Sequence, residues 1–140
     1  MINVTGKGLV VLTGCGHAGI VNICRYARRL TGDQPLYAAM GGFHLNGPMF
    51  EPLIPRVLDD LAEMAPQVLV PAHCTGWRAQ HAMGRRFGEA FVPNTVGTRL
   101  TPLNLRSSGI RWSRSAWVGG GASWCSAWAA AWDPGGPEAG

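Results

Sequence analysis

Three short apolar runs each close on a glycine-rich or small-residue turn that carries a histidine, and this repeated unit limits the fold more than any other feature of the chain. The first reads LVVLTGCGHAGIVN over residues 9–22, the second LYAAMGGFHLN over 36–46, and the third VLVPAHCTG over 68–76. Segments with helical periodicity lie between them. Over residues 18–30, Ile20, Ile23, Cys24, Ala27 and Leu30 share a face, while Arg25, Arg28 and Arg29 lie elsewhere, the last two suited to the negative end of the helix dipole. Over residues 51–65, Ile54, Val57, Leu58, Leu61 and Met64 turn inward, with Pro55 tolerated in the first turn. The spacing predicts strands over 8–13, 36–40 and 67–71. It also predicts a third helix over 77–87 capped by Thr75, and short strands over 90–92 and 96–100. Alternating strands and helices of this kind define a layered α/β fold.

In such folds the carboxyl ends of the strands form the rim where ligands bind. His17, His44 and His73 fall there, 27 and 29 residues apart, about one strand-helix unit each. One histidine at a turn is more often incidental. Three at equivalent positions point to a shared ligand, and a metal ion suits imidazole. Gly14, Gly16 and Gly19 also spell G-x-G-x-x-G, the pattern of a phosphate cradle. That motif needs an acidic residue at the end of the second strand to hold ribose hydroxyls. Here Asp33 precedes the strand, and the strand ends in GGFH. The glycines have another use: they let the backbone turn sharply so that His17 points back over the sheet edge. The metal is the stronger reading.

The chain has 140 residues, 46% hydrophobic and 14% charged, which suits one soluble domain rather than two. Its net charge of +4 rests mainly on Arg25, Arg28, Arg29, Arg78, Arg85 and Arg86. No nucleic-acid motif accompanies them, so solvated helix faces are expected rather than nucleic-acid binding. Cys15, Cys24, Cys74 and Cys125 show no C-x-x-C spacing, and there is no signal peptide and no apolar run long enough to span a membrane. Free thiols in a reducing, cytoplasmic setting are the expectation. From residue 107 the composition changes. Five of the six tryptophans lie there, and Gly, Ala, Ser and Trp fill 25 of the 34 positions 107–140. No apolar period survives, which suggests translation of a GC-rich gene in a shifted frame, with a Trp-rich binding tail as the alternative. Residues 1–106 are therefore read as the domain and 107–140 as a low-complexity, disordered tail.

The motifs GCGHAGIVN, GGFHL and PAHCTG, in this order and spacing, resemble the C-terminal half of metallo-β-lactamase-fold hydrolases. The dihydropterin/ribofuranosylaminobenzene 5′-phosphate synthase-like subgroup is the nearest in pattern. The resemblance covers residues 4–102. It implies part of an αββα sandwich that holds one or two metal ions, usually zinc, at the rim between its sheets. Carried over by position, His17 resembles the isolated metal-binding histidine that follows the family's H-x-H-x-D-H motif, and His73 resembles the last histidine ligand. His44 stands where many members place an Asp or Cys that bridges or binds a second metal. Cys15 and Cys74 flank these sites and match no ligand position of the family, and His81 reads as a surface or core residue. No H-x-H-x-D-H occurs in this sequence. In the family that motif supplies most ligands and the aspartate that orients the attacking water, so the chain is expected to be a fragment lacking the N-terminal half.

The resemblance implies a zinc-dependent hydrolase of a small phosphate ester, ester or pterin-linked phosphate. The alternative is a non-catalytic α/β module that binds a metal or a partner. No carboxylate is placed by sequence to neutralise a metal. Weak zinc binding is therefore expected, falling as pH drops and the imidazoles take up protons, with negligible hydrolysis by the chain alone. A sandwich cut in half is also expected to expose its inner sheet face, which favours self-association.

Overall fold

The computed structural model describes residues 1–100, so the tail over 107–140 lies outside the described residues. In chain order the elements are β1 Ile2–Val4, β2 Gly8–Leu12, α1 Ile20–Leu30, β3 Leu36–Gly42, α2 Ile54–Glu63, β4 Val68–Ala72 and α3 Trp77–Phe87. The sheet runs β1-β2-β3-β4, with β1 antiparallel to β2 and the other pairings parallel. Each parallel pairing is bridged by one α-helix, the usual crossover between parallel strands.

The predicted strands and helices form, with their ends adjusted by local chemistry. Helix α1 starts at Ile20 rather than residue 18 because Gly19, at φ 85°, is not helical; the Gly19 N–H instead closes a turn onto the Gly16 carbonyl at 2.9 Å. The second helix is broken. Residues Glu51–Leu53 form a 3₁₀ turn before α2, since Pro52 and Pro55 each remove an N–H donor. Strand β3 continues to Gly42, held by pairing of Gly41 with Pro71 and Gly42 with Ala72. No strand forms over 90–92 or 96–100. Phe91 makes one isolated parallel bridge to Leu69, the Val92 N–H donates to the Leu69 carbonyl at 2.8 Å, and the chain then turns at Gly97, where φ is 86°.

The core lies between the sheet and its helices. Leu9, Val11, Ala39 and Leu69 meet Ile20, Cys24 and Ala27 of α1, Ile54, Leu58 and Leu61 of α2, and Ala79 and Met83 of α3. Register shifts between Leu9 and Val10 opposite Leu36 and Ala38, so Tyr37 is the extra residue of a bulge. The bulge lets Leu36 and Ala39 both face the helices although an odd number of positions separates them. On the other face Tyr37, Ala38, Val68, Val70 and Val92 are buried, with Val10, Met40 and Leu100 partly buried against them. Ile2 and Leu12 in the strands, Tyr26 and Leu30 on α1 and Trp77 on α3 are among the exposed large apolar side chains. Surface arginines pair across helices, Arg25 with Asp60 at 2.7 Å and Arg86 with Asp59 at 3.2 Å. Among the described residues no helix is long and apolar enough to cross a membrane.

Cys24 is fully buried in this core, and burial pushes its thiol up from 9.0 to about 12. Because the folded value lies above the unfolded one, the stabilisation is complete below pH 9 and is lost as pH rises toward 12. Urea unfolding at pH 8 and 10.5 is expected to show a fall in stability that Cys24→Ala reduces. An equal fall in the variant would mean that other groups carry the alkaline loss.

Candidate metal centre

The rim is built from the loops that leave β2, β3 and β4. Thr13 binds the first two together: its hydroxyl donates to the Gly42 carbonyl at 3.0 Å, while the Gly42 N–H donates to the Gly14 carbonyl at 2.8 Å. Gly16, at φ 65°, closes against the Gly42 carbonyl so tightly that a side chain there would strike it. The third loop is tied in through Thr75. This buried residue does not cap α3, whose N-cap is Gly76 with no side-chain bond; its hydroxyl accepts from the Phe43 N–H at 3.0 Å. The Gly76 N–H reaches the Leu45 carbonyl at 3.1 Å. Sequence alone favoured the capping role because threonine before a helix usually serves it. Here a buried backbone donor across the sheet claims the hydroxyl, and leaving that donor unpaired is the costlier choice.

These ties sort the rim side chains into two groups. His17 and His44 pack ring to ring with centroids 4.4 Å apart and planes tilted by 56°. Phe50 holds the outer side of His44 edge-on at 4.6 Å. His44 itself adopts φ 53°, a conformation that non-glycine residues enter only when the surroundings hold them there. A cleft of about 330 Å³ opens beside this pair, lined also by Arg25, Arg56 and Asp60. His73 belongs to the other group. Its Nε2 lies 3.2 Å from Cys15 Sγ, and the Cys74 thiol donates to the Cys15 carbonyl at 3.1 Å. The ligand atoms of Cys15, His73 and Cys74 all lie within 4.8 Å of one another, the single such group of three His, Cys, Asp or Glu among the described residues.

Each sequence-predicted histidine therefore stands at the rim, but His17 and His44 come together while His73 turns to two thiols. In the sequence no family position and no C-x-x-C spacing singles out Cys15 and Cys74. The signal was present only as adjacency: Cys15 stands two residues before His17, and Cys74 directly follows His73. His81 lies on α3 with its ring edge-on to Trp77 at 6.3 Å and joins neither group. Asp59, Asp60 and Glu63 are engaged on α2, where arginines pair with them. The donors at the rim suit a borderline-soft cation. A tetrahedral zinc site with bonds of 2.0–2.3 Å spaces its donors roughly 3.3–3.8 Å apart, and the Cys15–His73 separation of 3.2 Å needs little adjustment to meet that.

Comparison with known proteins agrees with this architecture. No protein-family model matches the chain. A solved metal-dependent hydrolase of the beta-lactamase superfamily superimposes with a TM-score of 0.60 at 33% identity, over 69% of this chain and 37% of that one. In both fold and sequence the chain is similar to part of the metallo-β-lactamase superfamily fold. It is also similar to a 7,8-dihydropterin-6-methyl-4-(beta-D-ribofuranosyl)-aminobenzene-5′-phosphate synthase of Methanocaldococcus jannaschii, at 33% identity over 88 residues, 63% of this chain and 30% of the relative. An uncharacterized protein of the same organism is 34% identical over 73 residues, 52% of this chain and 26% of that protein. The chain thus spans under a third of the length of the curated relatives it matches.

Proposed function

We propose that residues 1–100 form the C-terminal portion of a zinc-dependent hydrolase site, acting on a small phosphate ester, ester or pterin-linked phosphate when the rest of that site is supplied. The observation that carries this reading is the delivery of His17, His44 and His73 to one rim by three parallel strands, in a chain related to metal-dependent hydrolases. Zinc bound there would lower the pKa of a water and make hydroxide available near neutral pH. The chain's own groups hold and orient. His17 and His44 present paired imidazoles, Phe50 fixes the second ring, and Arg25 and Arg56 beside the cleft favour an anionic substrate. Arg25 is already held by Asp60, which leaves Arg56 the more available cation.

The sequence contains no H-x-H-x-D-H, so hydrolysis by this chain alone is expected to be negligible. A reducing, cytoplasmic setting and self-association through exposed sheet belong to the same proposal. The test is a phosphodiesterase and esterase assay with zinc, on the wild type and on His17→Ala and His73→Ala. No turnover is expected in any of the three. Robust metal-dependent turnover lost in both variants would show that the chain is a complete enzyme. The competing reading, a non-catalytic module, predicts that adding the N-terminal portion of a relative restores no activity.

A further inference from the structure

We propose that Cys15, His73 and Cys74 form a thiolate-rich metal site of their own, which selects a thiophilic divalent cation such as Zn²⁺ or Cd²⁺ and joins the carboxyl ends of β2 and β4 across β3. It rests on the proposed function at His73, which shares the rim with the His17–His44 pair and whose nearest donors there are the two thiols. The geometry is specific. His73 directs Nε2 at Cys15 Sγ, 3.2 Å away, rather than at another histidine. Cys74 is only half-buried and its thiol is turned onto the Cys15 backbone at 3.1 Å, so both sulfurs stand on the same side of the rim. Gly42 lies directly beneath, where a β-carbon would fall 2.5 Å from Cys74 Sγ and 2.8 Å from His73 Cε1. The floor of the cluster is thus a backbone position without a side chain, which leaves the donors room to close on an ion.

The donor set decides the class of ion. Two sulfurs and one imidazole leave one position of a tetrahedron open, and thiolates favour zinc and cadmium over magnesium or calcium. Binding one cation displaces a proton from each thiol, so two protons leave as two sulfur–metal bonds form and no redox change occurs. The two thiolates also neutralise the dication, which meets the shortage of carboxylates at this rim.

Cobalt substitution reads the site directly. The full chain under reducing conditions, titrated with Co²⁺, is expected to develop a near-ultraviolet thiolate-to-cobalt charge-transfer band that Zn²⁺ displaces and Mg²⁺ does not. Cys15→Ser and Cys74→Ser should each abolish most of the band and weaken Zn²⁺ binding by at least about tenfold. His17→Ala, Cys24→Ala and Cys125→Ser should retain it, with circular dichroism reporting that each variant is folded. Should a serine variant fail to fold, alkylation of the wild type gives the second measurement: Zn²⁺ should protect Cys15 and Cys74 from iodoacetamide. A band lost in His17→Ala but kept in both serine variants would overturn the proposal and leave the histidine reading intact. So would cobalt bound without charge transfer, or alkylation at both thiols unaffected by zinc.

Discussion

Gly42→Ala is expected to abolish metal binding at the Cys15–His73–Cys74 cluster and to destabilise the chain at the same time. The new β-carbon would fall 2.5 Å from Cys74 Sγ, 2.7 Å from the Gly14 carbonyl oxygen and 2.8 Å from His73 Cε1. The sulfur and the ring can swing aside only by giving up the positions that bring them together. The Gly14 oxygen cannot retreat freely, because it accepts the Gly42 N–H at 2.8 Å and so holds β2 to β3. Gly42 has an ordinary φ, so the effect is one of space and not of backbone preference. Overpacking of this kind costs about 1–3 kcal/mol. Cobalt titration and urea unfolding check both halves, with Gly14→Ala as the control, since nothing lies within 4 Å of a β-carbon there. Wild-type cobalt binding by Gly42→Ala would mean that the three donors do not converge over that glycine.

Leu61→Ala is expected to cost about 2–5 kcal/mol, the range for emptying a buried leucine site. Leu61 has no exposure and sits where α2 packs on the sheet beside Leu58 and Leu69. Alanine and leucine have nearly equal helix propensity, so the loss reports the cavity and not the helix. Against a total of roughly 5–15 kcal/mol for a domain, such a loss removes a large share of the stability, and only at the low end of that range does it leave an appreciable unfolded fraction. The urea midpoint measures it, and Leu53→Ala, with that side chain 47% exposed, should change the midpoint little. A loss below about 1 kcal/mol for Leu61→Ala would show that the helix layer is loosely packed.

Much of this architecture was legible because apolar periodicity records which face each segment buries. Ile20, Cys24 and Ala27 on α1 and Leu58 and Leu61 on α2 are buried together as their spacing requires. The carboxyl-end histidines were legible for the same reason, since strand ends are visible where apolar runs meet glycine. What escaped depends on partners distant in sequence. The Tyr37 bulge exists only in relation to β2, and Thr75 is recruited by a backbone N–H from another loop. The short β1 is a strand only because Ile2 and Val4 pair with Val10 and Gly8. Residues 96–100 looked strand-like from Val96 and Leu100, but Gly97 and the Thr95–Thr98 turn outweighed two apolar side chains. Cys15 and Cys74, 59 positions apart, become neighbours only because β2 and β4 flank β3 and their loops are tied across Gly42.

Strand order in the sheet equals strand order in the chain, β1 to β4 without exception. During synthesis, every strand therefore emerges after the strand it pairs with, and no pairing waits on sequence still to be translated. β2 joins β1 through a tight turn, and each later strand closes a loop of a single strand-helix unit, a modest entropic step that keeps contacts local. The rim assembles last in that sequence: Cys15 is in place early, and His73 and Cys74 arrive only with the final strand. A cation captured by all three thus marks a nascent chain whose sheet has closed through β4.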